Sequence, residues 1–437
     1  EIEAFIHGGL CIAYSGQCFS SSYCFGSSAN RGRCLMTCWK GYEFKLGEKV
    51  LESGSLLRPR DLEGLYGLKY LMEGEIDCLK IQGRLRSSDY ISEIVNVYRH
   101  AIDDVFENRE KENRIRIYNK RLWEVSPRGL TGGNLLLESD KNLIMDADVN
   151  ILNDKGKKKE SKKEFGTSQN KKVAVFLRDV TTDEDYSLLR EDIDWIYIAY
   201  KSFLQDELKK IIHELCRRYR VCIYMPPMIY ERNCEIVYAK VDGIVKDYAI
   251  KGIVLPNVSD LMLINKYGKK SLEYISGNHL HIYNHFTADR LMEMGVKTGT
   301  YSLELPFSGC ASLKENTCLP MQQIVFGHPD LMHMKYCLLS HINECVNCGR
   351  CNDEKYRDLE LNGEAEFLVK IDKFQTETVL YSKKIYSADT TQIIGDSLRL
   401  DFLGESVLEI NTIIGDVKYG YFYTGDGYMN EILKEEE

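Results

Sequence analysis

The stretch His7-Gly8-Gly9-Leu10-Cys11, continued by Cys18, Cys24, Asn30-Arg31-Gly32-Arg33-Cys34 and Cys38, places five cysteines within 28 residues. From His7 to Cys34 it also carries six serines and five glycines, with almost no helical periodicity. Such a backbone reads as loops that bend several sulfurs toward one centre, and closely spaced thiolates bind metal.

The whole chain has fifteen cysteines in 437 residues, an odd number that leaves a thiol over even after full oxidation. High cysteine usage has two economical explanations, secreted disulfides or intracellular metal thiolates. The opening Glu1-Ile2-Glu3 is acidic where a secretory leader is positively charged, and no apolar segment of leader length follows. Metal thiolates in a reducing, cytoplasmic setting are therefore expected. No run of about 18 apolar residues occurs, so neither a membrane span nor a membrane partner is expected. The formal net charge of −9 argues against a broadly basic nucleic-acid surface, and leaves local patches such as Arg31, Arg33 and Lys40, or Lys80, Arg84 and Arg86.

A hydrophobic content of 44% supports several domains with cores. Residues 1–149 read as loop, then mixed strand and helix. Leu62–Leu71 is apolar at helical spacing, and Asp77-Cys78-Leu79-Lys80-Ile81 is a strand. Ser88–Phe106 is a helix with Ser88 as cap and Ile91, Ile94, Val95, Tyr98, Ile102 and Phe106 on one stripe. Residues 150–172 are a charged linker, lysine-rich, with Ile151, Leu152 and Phe165 as their apolar content. Across 173–356 short apolar runs alternate with helical stretches: Val173–Leu177, Trp195–Ala199, Val221–Tyr224, Gly252–Leu255, His279–Tyr283 and Gln323–Phe326. Helices fit over Leu204–Arg220, Val258–Tyr267 and Thr287–Met294, the last ended by Gly295. This alternation predicts a second, barrel-like α/β domain. Residues 357–437 switch to strand alternation, as in Glu366-Phe-Leu-Val-Lys-Ile-Asp and Leu398-Arg-Leu-Asp-Phe-Leu, and predict a small β-rich domain.

A second cysteine cluster, Cys337, Cys345, Cys348 and Cys351, contains two overlapping CxxC units. Sulfurs at that spacing reach one tetrahedral centre, which suits zinc or an iron–sulfur cluster alike. His333 and His341 flank it. Cys216, Cys222, Cys234, Cys310 and Cys318 lie in or beside apolar segments and read as small buried hydrophobes, with Cys310 a weak further ligand candidate.

The pattern Glu3-x-Phe5-x-x-Gly8-x-Leu10-Cys11-x4-Gly16-x-Cys18 resembles the signature of peptidase family U32, the collagenase-like proteins. Three further blocks follow in that family's order: Asn30-Arg31-Gly32-Arg33-Cys34 with Cys38, Leu79-Lys80-Ile81-Gln82-Gly83-Arg84-Leu85-Arg86-Ser87, and Val125-Ser126-Pro127-Arg128-Gly129-Leu130-Thr131-Gly132. Beyond the linker, Gly252-Ile-Val-Leu-Pro-Asn, Tyr283-Asn284, Ser302-Leu-Glu-Leu and Phe326-Gly-His-Pro-Asp-Leu-Met look like the second half of longer members. The resemblance implies a TIM-like barrel. It also implies an iron–sulfur protein acting in hydroxylation of tRNA or rRNA, under a family name that means peptidase. A four-iron, four-sulfur cluster would be held by Cys11, Cys18, Cys34 and a variable fourth ligand, Cys38 or alternatively Cys78. Zinc or a second iron–sulfur cluster would occupy Cys337, Cys345, Cys348 and Cys351. Arg31, Lys80 and Arg84 are the catalytic candidates.

Some features depart from the family. Gln82 stands where a glutamate is usual, removing a carboxylate that would accept a proton or anchor a cation, and Gly9 and Ser20 also differ. The family places about half of the barrel before its signature. The first barrel is therefore expected to be partial here, with another polypeptide as a candidate supplier of the missing half. A serine or cysteine protease needs a nucleophile, a base and an orienting group, and no histidine sits in a recognisable signature beside Cys11, Cys18 or Ser15. His7 reads as a buried strand end or as support for the cluster. No HExxH pair is present for a metalloprotease. RNA modification therefore ranks first, proteolysis second and a metal-stabilised scaffold third.

Overall fold

Each apolar run named above, save one, becomes a strand in the computed structural model, which describes residues 1–84, 86–135, 143–145, 171–339, 357–361, 364–372, 377–388 and 393–419. The chain divides into two units that interleave in sequence. The first comprises Glu1–Cys18, Met36–Asp154 and Met332–Val379, and the second comprises Phe19–Leu35, Lys155–Leu331 and Leu380–Glu437.

In the first unit a four-stranded sheet runs in the order Cys78–Ile81, Glu3–Gly9, Asp61–Glu63, Leu130–Thr131. Glu3–Gly9 is parallel to Cys78–Ile81, with Phe5 opposite Lys80, and antiparallel to Asp61–Glu63, with His7 opposite Glu63 and Gly9 opposite Asp61. The helix Ser88–Phe106 covers this sheet. Its cap is Ser87, whose hydroxyl accepts from the Tyr90 N–H at 3.3 Å, one residue earlier than the sequence suggested. Its buried row is Tyr90, Ile94, Val97, Tyr98 and Ala101, packed with Ile6, Leu65, Leu68, Tyr118 and Leu122. Each of the isoleucine, valine and leucine side chains among them contributes about 1.5–3 kcal/mol on burial. Val95 and Phe106, expected inside, are exposed. The sheet and the helix Glu112–Val125 meet only one row of the 3.6-residue repeat, and those two positions fall on the far side of it.

Four antiparallel strands, Lys49–Gly54, Tyr42–Leu46, Arg357–Leu361 and Glu364–Asp372, also lie side by side in the first unit. The strands after Arg357 therefore do not build a sheet of their own. Arg357–Leu361 pairs with Tyr42–Leu46, and Ser397–Phe402 enters a parallel sheet of the second unit, followed by the helix Val407–Tyr419. Alternation specifies which face of a strand is buried but not its neighbour.

That parallel sheet has the order Glu273–Ser276, Gly252–Leu255, Val221–Tyr224, Trp195–Ala199, Lys172–Leu177, Ser397–Phe402, Met321–Gly327, Gly299–Thr300. The two ends of this order are themselves linked: the Ser276 N–H donates to Thr298 O at 2.9 Å and the Lys297 N–H to Tyr274 O at 2.7 Å. Helices Lys209–Arg218, Glu231–Asp247, Met262–Tyr267, His285–Met294 and Phe307–Asn316 connect successive strands. Gly295 ends the fourth of these with φ 118°. The exception among the expected strands is His279–Tyr283. The strand is Glu273–Ser276, and His281 takes a left-handed φ of 49° that interrupts the later run.

The interior of this sheet is partly charged. Arg399 is fully buried and donates through Nε and Nη2 to Asp401 at 2.6 and 2.8 Å, while Arg178 Nη2 reaches Asp330 and Asp401, each at 3.1 Å. Both guanidinium groups lie over the Phe176 ring, which stacks on Tyr224 at 4.2 Å. Among the described residues, no helix is long and apolar enough to cross a membrane. Cys345, Cys348, Cys351 and His341 lie outside the described residues, as does the linker up to residue 170.

Candidate functional site

Strand Glu3–Gly9 ends in two glycines because other chain segments crowd its backbone. Gly8 has φ 121°, and a Cβ there would lie 2.6 Å from Gln82 O; one at Gly9 would lie 3.1 Å from Gln82 Oε1 and 3.7 Å from Arg128 Nη1. The absence of side chains lets Gln82 and Arg128 close over this strand end. The Gln82 N–H also donates to His7 O at 2.8 Å.

His7 lies under this corner with no exposed surface. Its Nε2 is 3.1 Å from the Tyr90 hydroxyl and its Nδ1 is 3.2 Å from the Tyr98 hydroxyl, so both ring nitrogens are engaged by phenols. Tyr98 also donates to Ile6 O and accepts from the Gly64 N–H. Burial, reinforced by the Arg86 charge, pushes the His7 pKa down to about 4. The ring is neutral at physiological pH and acts as a fixed hydrogen-bonding group.

Beside it, the Asp61 carboxylate is 1% exposed and binds two arginines: Arg86 Nη2 on Oδ2, and Arg128 Nη1 at 3.6 Å from Oδ1. Burial raises the Asp61 pKa, against the two guanidinium charges. The Arg86 guanidinium lies over the Tyr90 ring at 5.0 Å. Arg128 lies over the Trp39 ring at 4.1 Å, and Arg58 over the same ring at 4.3 Å. One carboxylate thus faces two directly bound guanidinium groups, with a third on the shared indole. This surplus of planar donors beside an aromatic face suits a phosphate or carboxylate next to a base.

Three of the four quoted blocks meet here: His7-Gly8-Gly9 from the first, Gln82 and Arg86 from the third, and Arg128 from the fourth. Sequence reading missed Asp61, Trp39 and Arg58, which lie outside the blocks, and the pairing of His7 with Tyr90 and Tyr98.

The residues singled out from the sequence fall in both units. Lys80 is exposed and its Nζ lies 2.7 Å from Glu3 Oε1; this contact raises the Lys80 pKa and lowers that of Glu3. Arg84 is exposed on the turn before Arg86. In the second unit, Arg31 donates through Nη2 to Glu304 O at 3.2 Å and lies over Tyr283 at 6.0 Å. The Glu304 carboxylate is fully buried and accepts from Ser22, from Asn30 Nδ2 at 3.0 Å and from the Tyr283 hydroxyl at 2.9 Å. Arg31 and Asn30 of the Asn-Arg-Gly-Arg block are thus anchored on the Ser302-Leu-Glu-Leu segment.

Two groups of cysteine contrast here; apart from them Cys234 is half-buried and Cys318 exposed, so these two are not the buried hydrophobes expected from their apolar neighbours. Cys11 and Cys34 are exposed and Cys18, Cys24 and Cys38 half-buried, with the Ser21 hydroxyl 3.9 Å from Cys34 Sγ. Cys78 is exposed on its strand, its Sγ 3.7 Å from Glu3 Oε2. Cys216, Cys222 and Cys310 are buried, and burial pushes the Cys216 and Cys310 thiols up to about 12 and the Cys222 thiol well above its usual value. A thiolate ligand must ionise, so the buried second set does not suit a metal. Cys337 is also buried.

Residues 1–145 match the family described as Peptidase family U32. An uncharacterized protease of Methanocaldococcus jannaschii is 38% identical over 148 residues, 32% of this chain and 36% of that protein. A collagenase of Porphyromonas gingivalis is 33% identical over 138 residues, 31% of this chain and 38% of its own length. A tRNA hydroxylation protein of Bacillus subtilis is 37% identical over 113 residues, 24% of this chain and 26% of that protein. The chain spans about a third of the length of the first of these curated relatives. The structure of the U32 peptidase Mk0906 aligns with a TM-score of 0.34 at 11% identity, covering 57% of this chain and 98% of that one.

Proposed function

Because residues 1–145 belong to peptidase family U32, we propose that this protein is an iron–sulfur enzyme that hydroxylates a base of tRNA or rRNA. The observation that carries this reading is the contrast between accessible and buried thiols: Cys11, Cys34, Cys18 and Cys38 are reachable, whereas Cys216, Cys222 and Cys310 are sealed in cores. Cys11, Cys18, Cys34 and Cys38 would hold a four-iron cluster, with Cys78 as the alternative fourth ligand. When bound, such a cluster supplies one-electron chemistry.

This chain's own residues bind and orient. Arg86 and Arg128 take a phosphate or a carboxylate cosubstrate, Trp39 offers a stacking face, and neutral His7 keeps Tyr90 and Tyr98 in place without adding charge. Arg31, Lys80 and Arg84 are candidates for further phosphate contacts. We also read the ring of parallel strands in the second unit as a TIM-type barrel, and Cys337 with Cys345, Cys348 and Cys351 as a second metal site, zinc or iron–sulfur.

The relative named a collagenase makes proteolysis the second reading. It is disfavoured by His7, whose two nitrogens are occupied by tyrosine hydroxyls. The test is nucleoside mass spectrometry of total RNA from cells with and without the gene, alongside iron and sulfide analysis of anaerobically purified protein. Loss of one hydroxylated nucleoside, restored by wild type and not by Cys11→Ala, is expected. Unchanged RNA together with gelatin cleavage by the purified chain would establish the peptidase reading instead.

A further inference from the structure

At the N-terminal ends of the second unit's parallel strands lies a pocket of about 360 Å³ lined by Arg220, Lys251, Lys269, Lys270, Lys297 and Glu273, together with Ser271 and Leu272. We propose that this pocket docks the phosphate backbone of RNA, a reading that rests on the RNA substrate proposed above.

The topology creates the cluster. Arg220 and Lys251 immediately precede the strands Val221–Tyr224 and Gly252–Leu255, Glu273 opens the next strand, and Lys297 stands two residues before Gly299–Thr300. These four strand starts are consecutive around the sheet, so neighbouring side chains are about 4.8 Å apart and the row from Arg220 to Lys297 covers about 14 Å. Lys269 and Lys270 enter from the turn after the helix Met262–Tyr267, where Gly268 has φ 86°.

The charges in this pocket are poorly balanced. Glu273 is its single carboxylate, and it lies 3.7 Å from Arg220, which also covers the Trp195 ring at 3.8 Å. Lys269 Nζ donates to Glu293 O at 2.5 Å. Among the described residues, Lys251, Lys270 and Lys297 have no carboxylate within ion-pair distance. Five cations against one carboxylate leave the pocket strongly positive in a chain whose net charge is −9. Like charges gathered without counter-ions repel and cost stability, so solvated lysines alone give no reason for their convergence. The row is longer than one phosphate, which favours a polyanionic strand over a small anion, and the Arg220–Trp195 pair at its end offers a stacking surface.

The test uses the full chain and fluorescein-labelled tRNA, read by anisotropy at several salt concentrations. The variant is Lys251→Glu/Lys270→Glu/Lys297→Glu; the charge-matched control is Lys209→Glu/Lys210→Glu/Lys240→Glu on the helices. The pocket variant should lose at least about tenfold in affinity and flatten the slope of log Kd against log salt by about 2, at roughly 0.7–0.9 for each phosphate that is no longer neutralised. The control should change less than about threefold, and Lys→Arg at the three pocket positions should bind like wild type. Equal losses in both variants, normal binding by the pocket variant, or no binding by wild type would each overturn the inference. Nucleoside analysis of cells carrying the pocket variant separates the two claims. Normal binding with intact hydroxylation removes the docking pocket and leaves the enzyme, whereas no gene-dependent nucleoside at all removes the enzyme.

Discussion

His7 Nε2 sits 3.1 Å from the Tyr90 hydroxyl inside a fully enclosed pocket, and that placement couples stability to pH. The ring's pKa is pushed down to about 4 from 6.5 by burial and by Arg86, so the unfolded chain takes up the proton first as pH falls. The stability contributed by the neutral ring is complete above pH 6.5 and is lost as pH falls through 4, up to about 3 kcal/mol at 1.36 kcal/mol per unit. Asp61, raised by burial, titrates in the opposite sense, so the informative comparison is wild type against His7→Gln. Urea unfolding at pH 7, 5.5 and 4.5 should show a steeper loss for wild type. Parallel curves would remove His7 as the cause.

Asp61 is the carboxylate joined to both Arg86 and Arg128. Asp61→Asn leaves two partly buried guanidinium groups facing each other and should destabilise by about 2–4 kcal/mol. Pairing it with Arg128→Met should recover part of the loss. A double-mutant cycle on chemical denaturation measures the coupling, and strict additivity would show that the pair does not interact.

Metal content should separate the two cysteine populations. Cys11→Ala, Cys18→Ala and Cys34→Ala are expected to abolish bound iron and sulfide with little change in melting temperature of the metal-free chain. Cys222→Ala should keep the metal and melt lower, because it opens a cavity in the core. Cys38→Ala against Cys78→Ala identifies the fourth ligand, since only the true ligand's variant loses the visible spectrum.

Gly8→Ala should cost about 1–3 kcal/mol, because φ 121° is poorly tolerated by a side chain and the new Cβ would meet Gln82 O at 2.6 Å. Gly16→Ala, at φ 78° with open space around it, is the matched control for backbone strain without crowding. Equal destabilisation of the two would mean that the approach of Gln82 is unimportant.

Period and composition made the alternating α/β segments legible from residue 173 onward, because each strand and helix there advertises its own buried face. The cysteine spacing marked the N-terminal thiol-rich segment, since thiolate chemistry depends on residue type. The site at the sheet's end was legible only in fragments. Gln82, Arg86 and Arg128 appeared in recognisable blocks, but Asp61 and Trp39 carry no local pattern.

The sequence by itself determined the helix Ser88–Phe106 and most helices and strands beyond residue 172, because hydrophobic period, glycine placement and residue chemistry act over a few positions; the helix Ser20–Phe25 and the strand Asp61–Glu63 carried no such local signal. Tertiary structure alone decided that Arg357–Leu361 pairs with Tyr42–Leu46, that Val95 and Phe106 face solvent, that Asp61 bridges two arginines, and that four strand starts gather lysines into one pocket. Those outcomes depend on which distant surfaces meet and on what their burial does to charge, and no short stretch of sequence encodes either.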